Sequence, residues 1–306
     1  MGSAGGYATI QDAIDAASAG DTIQVEAGAY SGNIEIPAGK DGLTILGVHT
    51  GVPYSDISRD LGGGNGESTV EGRLVILSSN VTIDGMRFAE GGSGGAFELA
   101  GIHVQAAGVT IENSLFYRSG AADGDGSRAI INSVGSGDGL TIADNAMTGW
   151  HTGAYVQGAS NVTVSNNSFV DNFVGMSADA YAVGSADLNV TGNAFSNVLE
   201  DFGFAAVSAS WSGDVSGNTF SKGIFDYDPA DNAALFGTNT FIGPVTLTSA
   251  SSSSVISYAT IQDTIDAAAA GDTVFVANGD YTGNVTLKNG VSLVGESEAG
   301  VVIHGT

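Results

Sequence analysis

No cysteine occurs in the 306 residues, so no disulfide framework braces the chain and thiol usage gives no reading of its redox compartment. Basic residues are nearly as scarce: 8 Lys plus Arg stand against 33 Asp plus Glu, for a formal net charge of −25. Phosphate binding depends on clustered cations, so this balance excludes nucleic acid and anionic membranes and leaves divalent cations and neutral sugars as partners. The same charge keeps a secreted or salt-exposed protein soluble and non-associating. No apolar run approaches a membrane span, which excludes membrane insertion. Residues 1–6 have neither a basic nor an apolar signal region and read as an artificial leader, with any export signal outside this sequence. Proline is rare as well, at 4 residues against 47 glycines, and the glycines follow no collagen period. They serve many tight turns, the mark of an all-β chain with many corners. A hydrophobic content of 42% is enough to fill a core and argues against disorder.

What is present is repetition on two scales. The short scale is a phrase of an apolar residue, Thr and Ile or Val, then polar residues and a large apolar one. It runs Val81-Thr82-Ile83 to Phe88, Val109-Thr110-Ile111 to Phe116, Leu140-Thr141-Ile142 to Met147, Val162-Thr163-Val164 to Phe169, and Leu188-Asn189-Val190 to Phe195. Weaker copies close at Phe220 and Phe241. Such spacing suits one coil of a solenoid with loops of varying length, and the apolar alternation within each phrase suits a short strand with one buried face. Two places before the closing residue stand Asn145, Asn167, Asn193, Asn218 and Asn239. Asparagine tolerates left-handed backbone and bonds main-chain groups, so these side chains are expected to stack at one corner and point inward at backbone amides.

On the long scale, Tyr7–Asp12 returns as Tyr258–Asp263, an offset of 258 − 7 = 251. Over 7–34 against 258–285, 19 of 28 positions are identical, too many for convergent packing. In each copy Ile and Ala recur at helical spacing, Thr9 or Thr260 can cap the start, and Gly20 or Gly271 can stop the helix. A capping helix near 9–18 is therefore expected, covering the open end of a solenoid, with a strand following at 22–27 or 273–278. The organisation reads as a parallel β-helix unit over 7–248, a serine-rich linker or corner at 249–257, and the start of a second homologous unit over 258–306.

The phrase Tyr-Ala-Thr-Ile-Gln-Asp, followed by Gly-Asp-Thr and Tyr-x-Gly-Asn, resembles the amino-terminal capping unit of the pectin-lyase-like superfamily. Leu43–Gly47 and Val291–Gly295 continue that pattern, and the phrases through 81–241 are similar to its parallel β-helix repeats. The resemblance implies an all-β, right-handed parallel β-helix with a short amphipathic capping helix, secreted or at the cell surface. It implies no single activity, because the superfamily holds polysaccharide lyases, epimerases, galacturonases, methylesterases, phage tailspikes and large surface proteins.

Abstracting a proton beside a sugar carboxylate requires a base, and a cation to stabilise the enolate. In the repeat region the candidates are Arg118, Arg128, His151 and Lys222. The stretch Gly149–Tyr155 joins an aromatic platform at Trp150, the His151 imidazole and the Tyr155 phenol, and Asp179 and Tyr181 follow one coil later. Asp123 and Asp125 are closely spaced carboxylates suited to Ca²⁺, although the downstream bidentate Glu of an EF-hand is missing.

Two functions follow. The repeated cap, which a stand-alone enzyme does not require, points to an extracellular structural or adhesive module, with neighbouring solenoid modules or polysaccharide as partners and end-to-end self-association at an uncovered coil. The Gly149–Tyr155 stretch points instead to a carbohydrate-active β-helix, a lyase or epimerase on an acidic polysaccharide, with Ca²⁺. A groove along one sheet lined by Arg128, His151 and Tyr155 favours the second reading; a flat polar face favours the first.

Overall fold

The computed structural model describes residues 6–56, 59, 66–89, 99–119, 126–179, 185–205, 210–226, 237–251 and 254–305. Within them the short phrases form successive coils of a parallel β-helix. The Thr-Ile-x triplets make a first sheet of eight strands, from Thr22–Gln24 to Ser210–Ser216. The closing aromatic residues make a second sheet of nine strands, from Gly28–Ser31 to Thr240–Phe241. A third sheet begins at Ile34–Ile36 and runs parallel to Gly223–Asp226.

Register explains why the phrases repeat. In the first sheet Ile23 pairs with Ile45, Ile45 with Ile83, Ile83 with Ile111, and Ile111 with Ile142. Each points inward, while the neighbouring Thr column faces water. In the second sheet Phe88, Phe116, Met147, Phe169, Phe195, Phe220 and Phe241 form one column. Phe169 and Phe195 stack at 4.7 Å with an interplanar angle of 4°. A slip of one residue would turn every one of these rings to solvent.

The chain turns from the first sheet to the second at Asp144, Asn166, Gly192 and Gly217, all with φ between 54° and 69°. The left-handed residue is thus the one before each ladder asparagine, which leaves the asparagine side chain free to enter the core. Asn145, Asn167, Asn193 and Asn218 are buried there. Asn193 Oδ1 accepts from the backbone N–H of Asn167 at 2.8 Å, and its Nδ2 donates to the Val164 carbonyl at 2.8 Å and to Asn218 Oδ1 at 3.0 Å. The same pattern links Asn145 to Asn167 and Asn218 to Asn239.

A second ladder lies at the corner between the second and third sheets. Trp150 N–H donates to Asn172 Oδ1, Asn172 N–H to Asn197 Oδ1, and Asn197 N–H to Asp201 Oδ1. It crowds the neighbouring backbone: a Cβ on Gly175 would lie 2.4 Å from Asn197 Nδ2.

Both capping helices form, over Ile10–Ala16 and Ile261–Ala267, with Thr9 and Thr260 accepting from Asp12 and Asp263 N–H. They stop earlier than the glycines suggest, because Ala17 and Ala268 are already extended. Gly20 instead holds φ 78° in the turn into the next strand. That strand is also shorter than expected, Thr22–Gln24 or Thr273–Val276, since the chain bends into the next sheet.

The serine-rich segment closes a hairpin. Val245–Thr248 and Val255–Tyr258 pair antiparallel, with Ser249 N–H bonded to Ser254 O at 3.1 Å. Val255–Tyr258 also pairs antiparallel with Gly223–Asp226, and Val245–Thr248 pairs antiparallel with Thr273–Val276. The third sheet therefore runs unbroken across the junction to Ser292–Gly295. Ile224 lines the first core and stands opposite Val255, whereas Val245 and Leu247 bury in a second core with Ile261, Ile265, Val274 and Val276. Packing thus assigns 245–248 to the second unit.

Asn193→Ala removes an acceptor from two amide groups and a donor from Val164 O, all buried. Its unfolding free energy in denaturant is expected to fall by about 1–3 kcal/mol; an unchanged value would mean that water replaces the carboxamide.

Candidate functional site

The third sheet presents its outer face to solvent, and successive coils place residues from distant parts of the sequence side by side on it. Tyr155 lies between the inward Ala154 and Val156 of the strand Thr152–Gln157, so its ring points outward. Asp179 follows the inward Ala178 at the end of the next strand, Val174–Asp179. Tyr155 pairs with Ser177, which sets Asp179 two residues further along, and the phenol donates a hydrogen bond to Asp179 Oδ2. Arg128 opens the preceding strand opposite Thr152, and its guanidinium lies over the Tyr155 ring, 5.1 Å from the centroid.

His151 sits at the entrance to the same strand. Its backbone N–H donates to Ser127 Oγ at 3.1 Å, its Nδ1 lies 3.2 Å from Thr152 Oγ1, and its ring packs against Phe173 at 5.2 Å. Gly153 lets this strand run close to its neighbour, since a Cβ there would lie 2.5 Å from Gly175 O and 2.7 Å from the Phe169 ring. Arg128, His151, Tyr155 and Asp179 together line an open cleft of about 200 Å³.

Burial raises the pKa of the Asp179 carboxyl above its ordinary value, and the hydrogen bond from Tyr155 opposes the shift. The cleft thus offers a cation, an imidazole, an aromatic face and a carboxyl group that retains its proton more readily than usual. These are the groups needed to hold an acidic sugar and to move a proton on it.

The other residues singled out from sequence fall elsewhere. Trp150 is fully buried in the core and is no platform; Arg118 lies over it, 5.8 Å from the ring. The aromatic of the stretch that faces outward is Tyr155, which is half-buried. Lys222 is exposed, and its backbone N–H bonds Asp201 beyond the cleft. Asp123, Asp125 and Tyr181 lie outside the described residues. Among the described residues no three His, Asp or Glu side chains converge as a metal site requires, and no helix is long and apolar enough to cross a membrane. Sequence reading missed the Asn172–Asn197–Asp201 ladder that holds the back of the cleft strands; its signal was an asparagine two or three residues after Phe169 and Phe195.

Residues 72–306 match the profile of the family described as "Right handed beta helix region". The chain belongs to the right-handed β-helix family. Solved structures similar to this β-helix include an alginate lyase in complex with a trisaccharide, at 13% identity and a TM-score of 0.35, covering 75% of this chain and 60% of that one. The pectin methylesterase of Aspergillus niger is 16% identical, with a TM-score of 0.36 over 99% of this chain and 82% of that one. The Streptococcus pneumoniae surface protein and adhesin PfbA is 14% identical, with a TM-score of 0.37 over 97% and 94%. This β-helix therefore spans 60% of the alginate lyase's length. No curated protein matches it in sequence.

Because the folded-state pKa of Asp179 exceeds its unfolded value, the folded β-helix binds more protons in the window that opens near 3.8 and closes at the raised value. The contribution of this group to stability is accordingly greatest below the window and falls as pH rises through it. Asp179→Asn is expected to flatten that part of the pH–stability profile measured by thermal unfolding; an unchanged slope would show that the carboxyl is not desolvated.

Proposed function

We propose that this β-helix is a tandem module of a secreted or cell-surface protein, with a structural or adhesive role. The observation that carries the reading is the junction: a second capping helix and strand series is built in mid-chain and joined to the first unit through the hairpin Val245–Tyr258. A catalytic β-helix requires one capped barrel, whereas a repeat protein requires caps and coils that connect. The net charge of −25 supports a salt-exposed extracellular setting, in which the acidic surface limits non-specific association. Its partners on this reading are adjoining solenoid units and polysaccharide. Exposed Val294, Val302 and Ile303 on the second unit support contact with another solenoid surface.

A second reading is favoured by the cleft, since Arg128, His151, Tyr155 and Asp179 come together there from three coils. On it, the cleft takes an acidic polysaccharide, Arg128 holds a uronate carboxylate, and His151 or the Tyr155–Asp179 pair exchanges the proton beside it. Ca²⁺ enters as a proposed ligand of Asp123 and Asp125.

Incubating the full chain with pectate and alginate oligomers, with and without Ca²⁺, separates the two. The module reading expects no ultraviolet-absorbing unsaturated product. Product that accumulates, and that disappears in a folded His151→Ala variant, would replace it with the second reading. Binding without turnover is compatible with adhesion and is expected to weaken roughly ten- to hundredfold in Arg128→Ala, the loss of one charge-assisted hydrogen bond of about 1.5–3 kcal/mol.

A further inference from the structure

The two copies of the cap differ in one respect that the sequence repeat does not predict. In the second copy the strand Thr273–Val276 is paired on both sides, with Ser292–Gly295 and with the hairpin strand Val245–Thr248. In the first copy the equivalent strand Thr22–Gln24 pairs, among the described residues, with Thr44–Leu46 alone. Val25 N–H points to Leu46 O, so by alternation the N–H groups of Gln24 and Glu26 face the other way. On that side lies a groove of about 560 Å³ between the helix and the strand, lined by Tyr7, Ala13, Ala17, Ile23 and Tyr30 among others.

Every equivalent feature of the second copy is occupied. Ala277 N–H, the counterpart of Glu26, donates to Pro244 O at 3.0 Å. Asp21 is exposed and accepts from Ser18 N–H through one oxygen, whereas its counterpart Asp272 is buried and accepts from both Ala269 N–H and Ala250 N–H, the latter in the hairpin turn. Ile23 and Ala17 are half-buried, while Val274 and Ala268 are fully buried beneath the hairpin strand. Tyr7 is 60% exposed, and its counterpart Tyr258 is packed against the second core.

We propose that the groove beside Thr22–Val25 is a docking site for the exit hairpin of a preceding unit of the same kind: a strand of the type Pro-Val-Thr-Leu-Thr that adds antiparallel to the free edge. Its Val and Leu cover Ile23 and Ala17, its turn amide reaches Asp21, and its backbone satisfies the Gln24 and Glu26 N–H groups. This inference rests on the tandem reading and identifies the surface by which units join.

The test is to fuse a copy of residues 243–257 directly ahead of Tyr7 in the full chain, which reproduces the register of the second junction. Amide hydrogen exchange at Gln24 and Glu26 is expected to slow by at least about tenfold, while the extension carrying Val245→Asp and Leu247→Asp in the copied segment leaves it fast. Amides of Ile111 and Val164 report in the same experiment that the barrel is folded. Should the fusion disturb the barrel, the synthetic 243–257 peptide added to the unmodified chain is read at the same two amides. Fast exchange at Gln24 and Glu26 in a folded barrel would overturn the docking site. The tandem reading would survive that result, since it stands on the junction already built at 243–282 and fails only by turnover in the oligosaccharide assay.

Discussion

A side-chain amide buried at the corner of a solenoid must find most of its hydrogen-bond partners in the coils above and below, and that requirement disciplines the whole barrel. Asn145, Asn167, Asn193 and Asn218 do this in series, each accepting from the backbone of the coil before it. Any coil of different rise or register would leave a carboxamide and an amide unpaired in an apolar surrounding, at a cost comparable to much of the net stability of a domain. Isoleucine column, phenylalanine column and carboxamide ladder therefore enforce one another. Variation is displaced into the loops, whose lengths are free to change because they leave the corners untouched.

The same stacking makes the cleft. Arg128, Tyr155 and Asp179 are separated by 24 to 27 residues in sequence, yet strand pairing places them on three adjacent strands. The second ladder, ending on the buried Asp201 carboxylate, fixes the corner from which those strands start. Gly153 and Gly175 then allow the strands to approach the Phe169 and Phe195 rings. The outer groups are held by a backbone that has no slack, which is how a shallow face can carry defined chemistry.

Much of this was legible in the sequence because the period of a solenoid is written as repeated residues. The Thr-Ile phrases, the closing aromatic residues, the first asparagine ladder and both helix caps could be read directly. Trp150 was misread as a platform, because residue type alone does not show which way a corner turns its side chain. The ends of the helices were placed too late, since Ala17 and Ala268 leave the helix without needing a left-handed residue. The hairpin went unread for another reason. Val245-Thr246-Leu247-Thr248 alternates as any coil strand does, and nothing local says that its partner is antiparallel. Grouping of Arg128, His151, Tyr155 and Asp179 was expected in outline, but the phenol–carboxylate bond depends on a diagonal register that spacing does not specify.

The hairpin register has a consequence for shape. Ile224, Val255, Thr248 and Thr273 stand opposite one another in turn and share one face of the continuous sheet, while Gly223, Ile256, Leu247 and Val274 share the other. Ile224 belongs to the first core, but Leu247 and Val274 belong to the second. The sheet thus turns inside out at the junction: the surface that is wall lining in one barrel becomes weather side in the next. A string of such units would advance as a staircase rather than a straight rod, each step set beside the solvent face of the long sheet before it. A polymer lying along that face would run into the flank of the following unit, so every step closes one end of the track it borders.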